Sequence, residues 1–271
     1  MKKTILSLLL AVGLIGSVVA ENNQTAGEGW QFSDRPVAYY SFDGNANDSV
    51  GGNDGIASDI TYDFDRFGNP NQSASFKGSS SSYISINNTN LDLPLPFTIS
   101  AWVKFQPGQG NENPRIFSTS DFEITTDLDP SGRYLYMNLG GINQEGTYEL
   151  VTLKSSTQIS NNKWDQITAV WSSGVMTLFC DGENVGILSN SIVTPIYSRW
   201  PYPKVGVNSG ALNQDNYSGL IDDIGIWNTA LTSNQVSALY AAQSVPEPST
   251  YALFGLGAIG MLMVMRRKKT A

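Results

Sequence analysis

Histidine is absent from all 271 residues and cysteine occurs once, at Cys180. The first absence removes Ser-His-Asp and Cys-His catalysis together with every histidine metal ligand. The second rules out an intramolecular disulfide. Bases are also scarce: 16 Lys and Arg stand against 24 Asp and Glu, and six of the 16 lie at the two ends, as Lys2, Lys3 and Arg266-Arg267-Lys268-Lys269. The ten that remain leave a net charge of −14, so nucleic acid is not an expected partner.

Long apolar runs are confined to the ends as well. Met1-Lys2-Lys3 is followed by an apolar stretch from Ile5 to Val19, and Val18 and Ala20 form a small-residue cleavage pattern before the polar Glu21-Asn22-Asn23-Gln24. At the other end Tyr251 to Met265 carries no charge and runs into the basic cluster, which should stay cytoplasmic. The expected organisation is a signal peptide at 1–20, a linker at 21–35, a folded domain at 36–241, a linker at 242–249, a transmembrane helix at 250–265 and a basic tail at 266–271. The carboxyl helix would thus anchor the precursor in a membrane, with the basic tail on the cytoplasmic side.

Between the ends, short β-rich runs alternate with Gly, Asn, Asp, Ser and Pro: Val37 to Phe42, Ser82 to Ile86, Phe97 to Phe105, Arg133 to Leu139, Thr147 to Leu153, Asp165 to Trp171, Val175 to Cys180, Lys204 to Val207 and Gly219 to Trp227. This spacing predicts an all-β antiparallel sandwich. Alternation puts Phe97, Ile99, Ala101, Val103 and Phe105 on the core side of one strand and Thr98, Ser100, Trp102 and Lys104 on the other. Asp181-Gly182 predicts a tight hairpin turn, with Cys180 a buried small hydrophobe. Thr232 and Gln235 form a capping box flanked by the staple pair Leu231 and Val236, which predicts a helix that closes one end of the sandwich.

Three segments in this order resemble the laminin G-like jelly roll of the concanavalin A-like lectin and glucanase superfamily. They are Val37 to Ser49 with Gly51-Gly52-Asn53-Asp54-Gly55; Phe97 to Lys104 with Lys163-Trp164-Asp165 and Leu178 to Gly182; and Gly219 to Leu231. The resemblance implies a two-sheet antiparallel jelly roll, more often a lectin, adhesion or carbohydrate-binding module than an enzyme. The carboxyl end, Val245-Pro246-Glu247-Pro248 followed by the apolar run and basic cluster, is similar to the PEP-CTERM sorting signal. That resemblance implies an exosortase-type protease as partner and a Gram-negative cell making exopolysaccharide, with an inner-membrane-anchored precursor and a mature form at the cell envelope or secreted into the extracellular matrix.

Two sites are expected. Asp43, Asn45, Asp48 and Asn53 crowd one loop with hard oxygen ligands. Asp222 shares strand parity with Leu220, Ile224 and Ile226, and so should point toward the core, where an unpaired carboxylate is costly. In laminin G-like jelly rolls the first and last strands are neighbours, which implies that these five residues could hold one structural calcium ion. Hydrogen bonding of Asp222 and plain turn chemistry in the loop are the alternative. For carbohydrate, the candidates are Trp200 and Tyr202 in a proline-stiffened loop and Trp102 on the polar side of its strand, whereas Trp164, Trp171 and Trp227 read as core.

Glycosidases of the superfamily carry Glu-x-Asp-x-Glu. The stretch Glu123-Ile124-Thr125-Thr126-Asp127 departs from that pattern, and its two acids are expected on opposite faces. The expectation is therefore an exported non-catalytic module that binds carbohydrate, exopolysaccharide or matrix protein. The alternatives are a matrix or adhesion protein with no glycan ligand, and a polysaccharide hydrolase or lyase.

Overall fold

The structure is a computed structural model that describes residues 35–86, 96–106, 113–195, 202–210 and 215–246. The expected signal peptide, transmembrane helix and basic tail, together with Trp200, Glu247 and Pro248, lie outside them. No helix among the described residues is long and apolar enough to cross a membrane.

Strands are numbered in chain order. The first sheet contains β1 (Ala38–Tyr40), β3 (Thr61–Asp63), β4 (Ser73–Lys77), β6 (Phe97–Phe105), β11 (Trp164–Ser172), β12 (Val175–Cys180), β13 (Glu183–Ser189) and β16 (Ser218–Trp227). The second contains β2 (Gly55–Ser58), β5 (Tyr83–Ile86), β7 (Arg115–Ser118), β8 (Phe122–Asp129), β9 (Gly132–Asn143), β10 (Tyr148–Gln158), β14 (Ile192–Pro195) and β15 (Lys204–Val205). In space the first runs β13-β12-β11-β6-β16-β4-β3 with β1 on β16, and the second β10-β9-β8-β7-β15-β5-β2 with β14 on β9. Every pairing is antiparallel, as the jelly-roll expectation requires.

The core forms between the sheets because alternate residues of each strand share a face. From β6 it takes Phe97, Ile99, Ala101, Val103 and Phe105, as the alternation predicts, and from β8 and β9 it takes Phe122, Ile124, Leu135, Met137 and Leu139. Phe97 and Phe122 meet across the gap edge to face, with centroids 4.9 Å apart. At the hairpin between β12 and β13, Asp181 and Gly182 both have positive φ, 51° and 79°, the backbone of a two-residue primed turn. Cys180 is half-buried against the core, and burial pushes its thiol up to about 12.

The helix α1 (Ser233–Gln243) begins at Thr232 with the expected reciprocal capping box, and Leu231 and Val236 are both buried. Its position is different from that expected. It lies on the outer face of the first sheet, where Tyr240 stacks on Trp102 at 5.7 Å and Gln243 bonds to Trp102 and Gln166. Two sheets thus have unlike outer faces, one roofed by a helix and loops, the other without such a roof among the described residues.

Strand β16 also departs from simple alternation. Its register with β6 slips between Asp222 and Gly225, and Asp223 sits at φ 49°, so one residue is extra. A bulge of this kind reverses the side-chain phase beyond it. Ile221, Ile224 and Ile226 therefore face the core, whereas Asp222 pairs with Trp102 and Trp227 with Thr98 on the outer face. Asp222 is buried by the roof and not by the inter-sheet core, which corrects the parity argument. Trp227 is core-like in burial but lies under the same roof, and Trp164 is only half-buried.

Candidate functional site

The Asp43 to Asp54 loop is organised by one carboxylate. Asp48 Oδ1 accepts from the backbone N–H groups of Tyr39 and Val50, and Oδ2 accepts from the backbone and side-chain N–H of Asn53, all at 2.9 Å. Burial by itself would raise the Asp48 carboxyl, but these donors more than offset it and hold the group below the ordinary carboxylate value. Asn45 turns on itself, its Oδ1 accepting from Asn47 N and its Nδ2 donating to Asp43 O.

Asp222 finds a partner that the sequence does not advertise. Arg66, in the loop after β3, reaches Asp222 Oδ2 at 2.9 Å through Nη1 and Asp223 Oδ2 at 2.7 Å through Nη2. The same guanidinium donates from Nε to the carbonyl of Gln243 and lies 4.6 Å above the Trp102 ring. Tyr39 adds a hydrogen bond to Asp223 Oδ1 at 2.5 Å. Strands β1 and β16 do pair, and Asp43 does come within electrostatic reach of this cluster. Burial, Asp223 and Asp65 push the Asp43 carboxyl up, against Ser41 and Arg66.

The five residues expected to hold calcium are thus not assembled around a common point. Asp48 and Asn53 bond to each other, Asp222 faces Arg66, and the carboxylate oxygens of Asp48 and Asp222 are committed to N–H donors. A cation at Asp222 would have to displace a guanidinium that already neutralises it, so the residues present do not fit the ion. Adding a chelator or calcium is expected to leave the thermal midpoint unchanged, and a rise in midpoint with calcium would contradict this. A different trio, Asp165, Cys180 and Asp181, brings potential ligand atoms within 4.8 Å of one another. There too a cation is built in: Lys163 Nζ lies 2.7 Å from Asp165 and 3.1 Å from Asp181.

Of the aromatic candidates, Trp102 is only 5% exposed, stacked under Tyr240 with Arg66 on its ring, and it offers no platform to a sugar. The polar parity of its position is right, but α1 covers that face. Tyr202 is half-buried beside β15. A second set of polar and aromatic side chains stands on the outer face of the second sheet, where the half-buried Tyr134, Tyr136 and Asn138 of β9 alternate with core residues and pair with the exposed β10; Lys154 Nζ lies 3.9 Å from the Tyr134 ring and 5.8 Å from that of Tyr136. Tyr148, 49% exposed, leans toward Gly140 and donates to Asp121 at 2.7 Å. Arg115, Glu123, Asn138 and Thr152 form a lateral hydrogen-bonded row between them. The signal for this face was present in Tyr134-x-Tyr136-x-Asn138, a strict alternation.

Glu123 and Asp127 both belong to that outer face, pairing with Asn138 and Tyr134. The expectation of opposite faces is corrected, since residues four apart on a regular strand share a side. Glu123 is held by Arg115 at 3.0 Å and by Asn138 at 3.1 Å, not left as a free acid.

A family model described as the concanavalin A-like lectin/glucanases superfamily matches residues 77–237. The chain belongs to this superfamily. A second model, the PEP-CTERM protein-sorting motif, matches residues 244–268 and marks an exported protein sorted to the cell envelope and processed by an exosortase-type system. Of the motif's start, Val245 is described and is 61% exposed, just past the Ser244 cap of α1. No curated protein matches the sequence.

Solved structures of this superfamily shape include domain 4 of AbnA, a GH43 extracellular arabinanase from Geobacillus stearothermophilus, in complex with arabinotriose. It is 19% identical over 76% of this chain and 98% of that one, with a TM-score of 0.59. The botulinum neurotoxin serotype G binding domain is 17% identical over 78% and 51%, at 0.57. The binding domain of Paraclostridial Mosquitocidal Protein 1 is 15% identical over 77% and 52%, also at 0.57. The chain spans about half the length of the two toxin domains, and identities this low establish the fold alone.

Proposed function

We propose that this superfamily member is a non-catalytic module that binds a neutral extracellular polysaccharide after exosortase-type sorting. The observation that carries the reading is the open outer face of the second sheet. Tyr136 pairs with Lys154, whereas Tyr148 pairs with Ile142. The two tyrosines are therefore six residues apart along the strands, about 20 Å, a span of several sugar rings. Between them Asn138, Thr152 and Glu123 supply hydrogen-bonding groups. The exposed Tyr148 ring and the open part of the half-buried Tyr136 ring can stack on sugars, and the polar groups between them can bind hydroxyls. The acidic balance of the chain disfavours polyanions. The arabinotriose complex of the AbnA domain supports an oligosaccharide as ligand class.

The test is capture of the purified full chain on the organism's exopolysaccharide, at low and high salt. Replacing Tyr136→Ala and Tyr148→Ala together should cost about 2 kcal/mol, roughly thirtyfold in affinity, with little effect of salt. Unchanged capture by the double variant would remove this face from the proposal. Capture of no polysaccharide would favour a structural matrix component, and release of shortened product would favour a hydrolase or lyase.

A further inference from the structure

Three turns converge at one end of the sandwich: residues 144–147 between β9 and β10, 173–174 between β11 and β12, and 190–191 between β13 and β14. They enclose a pocket of about 240 Å³, lined by Gln144, Trp171, Ser173, Asn190, Ser191 and Ile192 among others, with no ionisable side chain in its wall. None of its lining residues is among the side chains of the face described above or of the Arg66 cluster.

The groups bordering the pocket are held rigidly. Ser173 and Gly174 both have positive φ, 47° and 78°, a primed two-residue turn. The Gly174 carbonyl accepts from Asn190 N at 2.7 Å, and Asn190 Oδ1 accepts from Ile192 N at 3.0 Å. The Trp171 ring stacks on Phe97 at 6.3 Å and is 3% exposed. Two donors are left over: Trp171 Nε1 and Asn190 Nδ2 are buried and have no partner among the described residues. A buried donor without an acceptor costs about 1–3 kcal/mol, so two of them bordering one pocket point to an acceptor that the described residues do not supply.

The chemistry of that acceptor follows from the walls. Indole and Ile192 offer apolar surface, whereas the amides of Gln144 and Asn190 and the hydroxyl of Ser173 offer hydrogen bonds; the Ser191 hydroxyl already donates to the Glu149 carboxylate just outside the wall. With no cation in the wall, a carboxylate, sulfate or phosphate would enter uncompensated, which is expensive. A neutral polyol with one C–H face is not penalised. The volume lies just below the roughly 300 Å³ at which pockets for larger small molecules begin, which suits one ring and not a chain.

We propose that this end pocket binds a single neutral sugar residue, such as the terminal unit of a glycan, with ring oxygens or hydroxyls accepting from Trp171 Nε1 and Asn190 Nδ2. The assignment to a sugar rests on the glycan reading above; the two unpaired donors do not.

The experiment uses the full chain labelled with ¹⁵N at tryptophan, which has six indole N–H groups. Trp171→Phe identifies the Trp171 signal. Glucose, galactose, mannose, arabinose and N-acetylglucosamine are then titrated singly. At least one is expected to move the Trp171 signal saturably and selectively. Asn190→Asp keeps an acceptor for Ile192 N but replaces the Nδ2 donor by a charged carboxylate oxygen, so it should weaken that response at least tenfold while the domain stays folded, as the unfolding midpoint checks. If no sugar moves the signal, or if the response survives Asn190→Asp unchanged, the pocket proposal fails. If the Trp171 signal is silent while the Tyr136 and Tyr148 substitutions abolish polysaccharide capture, the sheet-face reading stands without the pocket. The converse result supports the pocket and removes the face.

Discussion

Replacing Arg66 by alanine is expected to destabilise the domain by about 3–5 kcal/mol at neutral pH, the cost of stripping the partner from buried charge. Two carboxylates lose their counterion at once, because Arg66 spans Asp222 and Asp223 with separate nitrogens. The same substitution removes the cation over Trp102 and the bond to the Gln243 carbonyl, so the roof of the first sheet loosens with it. Dependence on pH separates this from a simple packing loss. Burial, and next to it Asp223, already push the Asp222 carboxyl well above the ordinary range, with Arg66 opposing. A group raised in the folded state contributes stability that is present in acid and lost as pH rises through its folded value. Without Arg66 that loss deepens. The gap between variant and parent should therefore be widest at neutral pH and above, and should begin to close while the pH is still above the ordinary carboxylate range of about 4. Urea unfolding followed by tryptophan fluorescence across that range measures it. A gap that is constant with pH would show that Arg66 acts through packing alone.

Asp48→Asn should give the contrasting profile. Four N–H donors converge on Asp48, and an amide can accept on only one of its two atoms, which leaves donors facing a donor. The expected loss is about 2–4 kcal/mol, given the strength of bonds to a charged acceptor. Here the folded carboxyl is held below its ordinary value, so its stabilisation is present above about pH 4 and fades only as pH falls through the lower folded value. Parent and variant should thus converge only below the ordinary range, in more acid solution than parent and Arg66→Ala do. Convergence in the same window as the Arg66 variant would mean that Asp48 is not the charged anchor of its loop.

These two carboxylates also show how far the sequence could be read. The loop around Asp48 was recognisable as a dense set of Asp, Asn and Gly, but the composition suits a calcium cage and a carboxylate-centred turn equally well. Which one forms depends on whether backbone N–H groups or an ion reach the oxygens. The core side of β6 followed from alternation and is correct at all five positions from Phe97 to Phe105. The same rule failed on β16, because a single extra residue at Asp222–Asp223 reverses the phase and nothing local in Leu220 to Ile226 announces it. Alternation puts Trp102 on the correct face, but its exposure is set by a helix that begins 131 positions later.

Linear order and near neighbours are enough to specify part of this fold. The sorting segment after Ser244, the alternating strands, the Asp181-Gly182 turn and the Thr232 cap are all written within a few residues, and local sterics and hydrogen bonding are enough to specify them. Tertiary structure decided the rest. Arg66 meets Asp222 across 156 positions, the end pocket is assembled from three separate turns, and the docking of α1 determines that the outer face of the first sheet is covered. Such meetings depend on the order of strands in space and on which segment covers which face, and no spacing along the chain encodes them.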